Sequence, residues 1–209
     1  MYRALLSLTC LMFMMLLPFG SYAKTDDELA FEAEDYDKIG APMVVAEDED
    51  ASGGKYIKSP QGRAGWAEYE IEVPDDGQYY MWGMVQEHDG VTDSFFVTFD
   101  LDDRGEDNDT NENAWDMGGP VDLWAWDPVS GRGIGGDPRM FDLDVGIHTL
   151  RVWTRENESW LDCIYMSTEQ TDIPILASEF EGRERMETRK AVDYVGKLAA
   201  VWGKVKTQD

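Results

Sequence analysis

Two glutamates near the start of the chain have the spacing expected of ligands for a hard cation. Glu32 and Glu34 flank Ala33, and residues two apart in a strand point to the same face. Two like charges this close are costly unless a cation lies between them, and Ca²⁺ prefers oxygen ligands of this kind. The alternative interpretation is a solvated edge strand in which both carboxylates face water.

A third carboxylate lies far along the chain, inside an apolar run. Asp162 stands between Leu161 and Cys163 in a segment typical of a buried strand. A buried aspartate without a partner is expensive, so Asp162 should meet either a cation or hydrogen-bond donors. Cys163 is expected to be a small buried hydrophobic residue, because loss of Cys10 with a cleaved leader leaves it no disulfide partner.

Tryptophans in or beside loops indicate a second kind of chemistry. Trp115, Trp124 and Trp126 fall in such segments, and Trp160 opens the last expected strand. Sugar rings present apolar C–H faces that stack on indoles, while their hydroxyls need fixed hydrogen-bond donors and acceptors. Charged neighbours such as Asp122 supply those polar groups. Core packing is the alternative for any single tryptophan.

Short runs of alternating or aromatic-rich residues predict the β-structure that must position these side chains. The run 66–73 alternates cleanly between apolar and charged residues, as a half-buried strand does. Turn signals such as Pro74 to Gly77 separate the runs, and their spacing is typical of a β-sandwich. Two long loops, 102–113 and 116–137, interrupt the pattern. The expected strands are 29–35, 43–46, 55–58, 66–73, 78–86, 93–101, 139–145, 147–155 and 160–167.

Catalysis has little support in the sequence. Glycosidases need two carboxylates across a cleft, and no pair stands out among the 43 acidic residues. An EF-hand interpretation of residues 100–111 fails because Arg104 takes the fifth position and Asn111 replaces the bidentate glutamate. The glycine-rich stretch 131–136 lacks the lysine and the Ser/Thr of a phosphate-binding loop. We therefore predict that the protein is not an enzyme.

The two ends of the chain differ from the predicted β-domain. Residues 1–23 have a basic residue, an apolar core and the small-x-small site Ser21-Tyr22-Ala23, which together predict a cleaved secretory signal. The apolar core is shorter than the about 20 residues of a membrane span. We expect a β-domain over 24–172, a charged tail over 173–209 with near-helical apolar spacing, and an extracytoplasmic location without membrane insertion. The tail is a candidate contact for a protein partner.

Charge narrows the range of partners. Residues 24–182 hold 10 basic and 39 acidic side chains, a net charge of −29, whereas residues 183–209 carry +3. A body this acidic repels nucleic acid and anionic membranes. It also opposes direct capture of polyanionic glycans unless cations bridge the two.

Seven motifs in order carry a resemblance to a known group of proteins. Each motif alone is weak, but the order is specific and covers nearly all of residues 29–168. On these residues the chain resembles the calcium-containing β-jelly-roll carbohydrate-binding modules of families 6 and 35, which have a galactose-binding-like sandwich. The motifs are Glu32-Ala33-Glu34, residues 51–57, 67–74, 77–81, 96–100, 146–150 and 160–164.

The resemblance implies two sites and a function. A structural calcium ion would take carboxylates from Glu32, Glu34 and Asp162 and backbone oxygens near Ser52 to Lys55. A glycan would meet loop residues at one end of the sandwich, namely Trp115, Trp124, Trp126, Asn157 and Glu158. We therefore expect a secreted, non-catalytic protein that binds a polysaccharide or oligosaccharide. The alternatives are a structural or adhesion protein that uses the jelly roll as a scaffold and, less favoured, a small polysaccharide-degrading enzyme.

Overall fold

Strands form almost all of the regular structure in the computed structural model, which describes residues 29–89, 94–108, 111–132 and 136–171. The predicted signal segment and the predicted tail over 173–209 lie outside these residues. Within the described residues, no helix is long and apolar enough to cross a membrane.

Twelve strands and one short 3₁₀ turn, Ser52–Gly54, follow one another along the chain. The strands are β1 (Leu29–Glu32), β2 (Lys38–Gly40), β3 (Val44–Glu47), β4 (Lys55–Lys58), β5 (Trp66–Val73), β6 (Gly77–Gln86), β7 (Ser94–Phe99), β8 (Ala114–Asp116), β9 (Ala125–Pro128), β10 (Met140–Leu143), β11 (Gly146–Thr154) and β12 (Trp160–Ser167).

These strands pair into two antiparallel sheets. Sheet 1 has the order β10-β6-β12-β4-β3, with β1 also paired to β12 and β9 also paired to β6. Sheet 2 has the order β2-β5-β11-β7-β8. Apart from the pairs β3–β4 and β7–β8, neighbours in each sheet are not consecutive in sequence, as in the Greek-key connections of a sandwich. The prediction of an all-β jelly-roll sandwich is confirmed.

The main core lies between the two sheets and follows from strand alternation. In β6, Met81 and Val85 point into this core, as do Val97 of β7 and Leu161 of β12. Gly83 also faces inward, and a Cβ atom placed there would lie 2.4 Å from Trp115 Cη2. The missing side chain thus makes room for a large indole between the sheets.

Sheet 1 is also covered on its outer face. Trp82 and Met84 alternate with the inward-facing residues of β6, so they point away from the main core. They form a second buried cluster with Ala30, Cys163 and Tyr165. Trp124 and Trp126 pack against this cluster from β9 and the loop before it. This face therefore presents an aromatic layer instead of an ordinary solvated surface.

Most predicted strands are found within one or two residues of their expected bounds, but β2, β8 and β9 were not predicted. All three are only three or four residues long, so alternation gives little signal. β9 lies inside the stretch that we expected to be irregular. β1 ends at Glu32 because Asp35 donates its backbone N–H to the Glu32 carbonyl at 3.1 Å, which turns the chain at Ala33 and Glu34.

Candidate functional site

A β-bulge in β12 places Asp162. Leu161 pairs with Val85 and Cys163 pairs with Met84, so Asp162 is the extra residue between two registered pairs. Its side chain is buried, and Oδ2 accepts a hydrogen bond from the Ser52 backbone N–H at 2.8 Å. Oδ1 is buried and has no hydrogen-bond partner in the described part of the chain. A cation is one group that would satisfy this oxygen.

Glu32 lies beside Asp162 because β1 runs antiparallel to β12. Ser52 donates its hydroxyl to Glu32 Oε1 at 2.9 Å, and the Cys163 thiol donates to Oε2 at 3.3 Å. One ligand atom each from Glu32, Asp162 and Cys163 lies within 4.8 Å of the others. We refer to these three residues as the cation cluster. Glycine at positions 53 and 54, both with positive φ, lets the backbone at Ser52 approach it.

Burial and mutual repulsion perturb the acids around the cation cluster. Burial raises the pKa of Asp162 to about 8, with added repulsion from Glu32 and Glu34 and opposed by the hydrogen bond from Ser52. Burial likewise raises the pKa of Glu34 to about 7, with repulsion from Glu32 and partial relief from Lys55. Glu34 Oε2 is buried without a hydrogen-bond partner in the described chain. A nearby positive charge would favour the ionised forms, so these oxygens suit a divalent cation.

The structure brings some of the predicted metal ligands into direct contact and others only near them. Glu32, Ser52 and Asp162 are joined by hydrogen bonds, and Glu34 lies close enough to affect Asp162 electrostatically. Lys55 donates its backbone N–H to the Ser52 carbonyl. Cys163 was not predicted as part of the site, because its contact with Glu32, 131 residues away in sequence, depends on the register between their strands. The assignment of a metal to these residues stays a prediction.

Three aromatic side chains form a separate group, which we call the aromatic group. Tyr56 stacks on Trp160, with ring centroids 4.3 Å apart and planes inclined by 29°. Trp124 contacts Tyr56 edge-on at 5.5 Å and lies 6.0 Å from Trp160. Pairing of β4 with β12 brings Tyr56 next to Trp160, and the loop before β9 adds Trp124.

Charged and polar side chains border the aromatic group. Lys58 Nζ lies 5.2 Å from the Trp160 ring centroid and 2.7 Å from Glu158 Oε2. The His88 ring meets the Trp160 ring at 4.1 Å, and its Nδ1 lies 2.8 Å from Asp122 Oδ1. These pairs place hydrogen-bond donors and acceptors around apolar rings, which is the combination that sugar recognition requires.

A buried aspartate holds the loop that carries Trp124. Asp127 Oδ2 accepts a hydrogen bond from Trp115 Nε1 at 2.7 Å, and Oδ1 accepts one from the Gly118 N–H at 2.9 Å. Burial raises the pKa of Asp127 to about 6, although both hydrogen bonds oppose the shift. Trp124 itself donates its Nε1–H to Asp48 Oδ2 at 3.3 Å. Hydrogen bonds to Asp127 and to Asp48 thus hold this loop in place.

The prediction for Trp115 requires correction. Trp115 is fully buried in the core between the sheets, 5.6 Å from Phe95. Its exposed fraction is 0%, so the ring has no face on which a ligand could stack. Pairing of β8 with β7 directs Trp115 inward, and the sequence concealed this because three residues are too few to show alternation.

Of the other four predicted glycan residues, two are connected to the aromatic group. Trp124 belongs to it, and Glu158 reaches it through Lys58. Asn157 is exposed in the same turn as Glu158, whose φ of 59° lies in the left-handed region. Trp126 packs on the outer cluster of sheet 1, 6.2 Å from Tyr165. Tyr56 and His88 were not predicted, although the motif over residues 51–57 contains Tyr56.

Known proteins resemble this chain in their fold and not in their sequence. No family model and no curated protein matches the sequence. A family 35 carbohydrate-binding module from Clostridium thermocellum matches with a TM-score of 0.50 and 14% identity, over 66% of this chain and 96% of that chain. The CBM35 from Paenibacillus barcinonensis matches with a TM-score of 0.50 and 16% identity, over 68% and 99%.

This chain has the fold of a family 35 carbohydrate-binding module. The resemblance drawn from the seven motifs is confirmed at that level. A GH26-CBM35 β-(1,4)-mannanase from Podospora anserina also matches, with a TM-score of 0.50 and 14% identity over 72% of this chain. The chain covers whole modules of the family 35 type but spans only 29% of the mannanase. At these identities, the likeness to family 35 modules concerns the fold alone.

Proposed function

We propose that this protein is a secreted, non-catalytic carbohydrate-binding protein that recognises a polysaccharide or oligosaccharide through the aromatic group. The observation that carries the proposal is the placement of Trp124 among Tyr56, Trp160 and the two polar pairs that border them. The fold shared with family 35 carbohydrate-binding modules supports the same assignment.

Trp124 is the ring best placed to meet a sugar. Tyr56 stacks on Trp160, while His88 and Lys58 approach the same indole, so Trp160 is largely enclosed. Trp124 is only partly buried and follows Leu123, which is 61% exposed. An indole plane beside exposed apolar surface and charged side chains can stack on a pyranose face while fixing its hydroxyls.

The charges favour a neutral or weakly charged ligand. Asp48 accepts a hydrogen bond from one of the rings, and Asp122 and Glu158 pair with side chains that border them. The surrounding domain is strongly acidic. A polyanionic glycan would be repelled at moderate salt. The alternative ligand is a uronate held through a bridging calcium ion. In that case acidic glycans alone should bind, and only when calcium is added.

We further propose that a structural calcium ion joins β1 to β12 through Glu32 and Asp162, with Glu34 and oxygens at Ser52 near it. The support is the set of buried oxygens, two of them without a hydrogen-bond partner in the described chain. Oxygen ligands are what calcium takes. When bound, the ion would neutralise the repulsion among the acids and so stabilise the strand pair.

A glycan array followed by calorimetry tests the binding proposal. The full chain should bind at least one polysaccharide or oligosaccharide, and Trp124→Ala should weaken that binding about tenfold or more, equivalent to ~1.4 kcal/mol. Trp153→Ala is the matched control, because Trp153 is a partly buried tryptophan on sheet 2. Circular dichroism should show that both variants are folded.

Two results would contradict the proposal. If the folded wild-type chain binds no glycan with calcium present, the scaffold or adhesion role is favoured instead. If incubation with polysaccharides releases new reducing ends or unsaturated products, the protein is an enzyme.

A further inference from the structure

The turn between β3 and β4, residues 48–54, contacts both the cation cluster and the aromatic group. At one end of the turn, the Ser52 backbone N–H donates a hydrogen bond to Asp162 Oδ2 at 2.8 Å. At the other end, Asp48 Oδ2 accepts a hydrogen bond from Trp124 Nε1 at 3.3 Å. One short segment of chain therefore connects the two proposed sites.

Hydrogen bonds within the turn make it a single unit. The Asp48 N–H donates to the Gly54 carbonyl at 3.2 Å, and the Asp48 carbonyl accepts from the Ala51 N–H at 3.2 Å. The Gly54 N–H closes the turn by donating to the Ala51 carbonyl at 2.9 Å. Gly53 and Gly54 have φ of 62° and 75°, a region that other residues rarely adopt. A displacement at one end of this turn would therefore be passed to the other end.

The cation cluster holds one end of the turn through its two carboxylates. Ser52 donates its backbone N–H to Asp162 and its hydroxyl to Glu32. Without a cation these acids repel each other, so the two acceptors of Ser52 are pushed apart. An ion that neutralises the carboxylates would fix their positions, and Ser52 would be fixed with them.

Asp48 holds the other end of the turn against the aromatic group. The Asp50 N–H donates to Asp48 Oδ1 at 3.0 Å, which leaves Oδ2 free to accept from the Trp124 indole. Asp48 also lies near Tyr56, because burial raises the pKa of Tyr56 to about 12 and repulsion from Asp48 adds to the shift. Stacking on a sugar depends on the orientation of the ring plane, so this hydrogen bond bears directly on binding.

The other two rings of the aromatic group do not depend on the turn in the same way. Trp160 lies on β12, where it pairs with both β4 and β6. Tyr56 lies on β4 and pairs with β3. Backbone hydrogen bonds of the sheet hold both positions whether or not a cation is present. Trp124 precedes β9 and lies outside any strand, so its ring depends more on the bond to Asp48.

We propose that the turn over residues 48–54 couples the cation cluster to the aromatic group, with Asp48 as a positioning residue that orients Trp124 when the cluster is occupied. This inference rests on the proposed function for the identity of the two ligands. Coupling between sites is reciprocal, so calcium should raise glycan affinity and glycan should raise calcium affinity by the same factor. Because a single hydrogen bond makes the last contact, we expect a factor of about three to ten.

Fluorine NMR with Ca²⁺ alone tests the coupling on the full chain labelled with fluorotryptophan. The chain has 8 tryptophans, and Trp124→Phe identifies the resonance of Trp124 by removing it. After removal of metal, Ca²⁺ should shift this resonance over the same range of concentration that raises the Tm. The resonance of Trp153, which lies on sheet 2 and is identified by Trp153→Phe, should not move.

Two variants of the turn separate positioning from charge. Asp48→Ala should abolish the Ca²⁺-dependent shift of the Trp124 resonance but retain the rise in Tm, because Asp48 is not an acid of the cluster. Asp50→Ala is the matched control, since it removes the same charge from the same turn and keeps the backbone N–H that Asp48 accepts. An oligosaccharide identified on the glycan array should bind more tightly with calcium to wild type and Asp50→Ala, but equally with and without calcium to Asp48→Ala.

Each outcome decides between the proposals. If Ca²⁺ raises the Tm but leaves the Trp124 resonance unmoved, the coupling is refuted and the structural ion stands. If Ca²⁺ changes neither, the ion and the coupling both fail. If the shift persists in Asp48→Ala, the positioning role of Asp48 is overturned. If the shift depends on Asp48 but the array shows no glycan binding, the coupling is supported and the carbohydrate proposal fails.

Discussion

Trp115 donates its indole N–H to Asp127 at 2.7 Å, and this bond links the core between the sheets to the loop that carries Trp124. The pair explains why a tryptophan in a loop-rich part of the sequence is a structural residue. Its ring fills the space above Gly83, while its nitrogen satisfies a buried carboxylate. The neighbouring aromatic group can then occupy the outer face of sheet 1.

Replacing Trp115 by phenylalanine should therefore reduce stability. Trp115→Phe keeps an aromatic ring but removes the donor to Asp127, which remains buried. Leaving such an acceptor unsatisfied costs about 1–3 kcal/mol. Urea unfolding should show this loss, whereas Trp124→Ala should lower the free energy of unfolding less. Equal stability of Trp115→Phe and the wild type would contradict the structural role.

Close packing at Gly83 leads to a second expectation. Gly83→Ala would place a methyl group 2.4 Å from Trp115 Cη2 and 2.9 Å from a Leu161 methyl carbon. Overpacking of this kind costs about 1–3 kcal/mol. Gly77→Ala is the control from the same strand, because its new Cβ would meet only a Tyr79 ring carbon at 3.9 Å. Thermal unfolding should separate the two, and a destabilised Gly77→Ala with a normal Gly83→Ala would refute close packing at Gly83.

Tyr56 should contribute to glycan binding through the rings that it holds in place. Tyr56→Leu keeps an apolar side chain but removes the stack on Trp160 and the edge contact with Trp124. Aromatic pairs of this kind contribute about 0.5–1.5 kcal/mol, so we expect glycan affinity to fall severalfold in calorimetry. Tyr80→Leu, on the outer face of sheet 1 but near Met140, should leave the affinity unchanged.

Removing divalent ions should lower the thermal stability. Without a cation, the acids near the cation cluster repel one another, and an ion at a hundred times its Kd would stabilise the folded state by about 2.7 kcal/mol. EDTA should reduce the Tm of the wild type, and re-addition of the ion should restore it. Asp162→Asn should be insensitive to EDTA. An unchanged wild-type melt in excess EDTA would refute the structural ion.

The contact between His148 and Asp100 should make stability depend on pH. Burial lowers the pKa of His148, but hydrogen bonds to Asp100 and to the Asp144 carbonyl outweigh it and raise that pKa above 6.5. Burial also opposes ionisation of Asp100, yet hydrogen bonds from Thr149 and His148 lower its pKa below 3.8. The pair is therefore fully charged between these two ordinary values.

The sign of the effect follows from linkage. Because the folded His148 binds its proton more tightly than the unfolded one, its contribution is complete below pH 6.5 and is lost as the pH rises through the raised pKa. The contribution of Asp100 is present above pH 3.8 and is lost as the pH falls through the lowered pKa. Urea unfolding should show that the wild type exceeds His148→Gln in free energy of unfolding by less at pH 8.5 than at pH 5.5. A difference that grows with pH would contradict this assignment.

The residues differ in how far sequence could predict their surroundings. Trp66 to Val73 alternates over eight residues, so the strand and its buried face were predictable. Glu32, Glu34 and Asp162 were selected from their spacing and surroundings in the sequence, and their role as metal ligands stays a prediction. Tyr56 was not selected, because the ring stacks on Trp160 only after β4 pairs with β12.

By itself the sequence determined the local properties of this protein: β-strands separated by turns, an acidic domain, and aromatic residues concentrated near its loops. These follow from contacts between residues a few positions apart and from composition, which need no knowledge of the fold. The tertiary structure decided that Trp115 is buried, that the Cys163 thiol meets Glu32, and that Tyr56 stacks on Trp160. The last two contacts depend on register between strands distant in the chain, and the burial of Trp115 depends on the pairing of β8 with β7. A shift of one residue would turn each of these side chains to the opposite face.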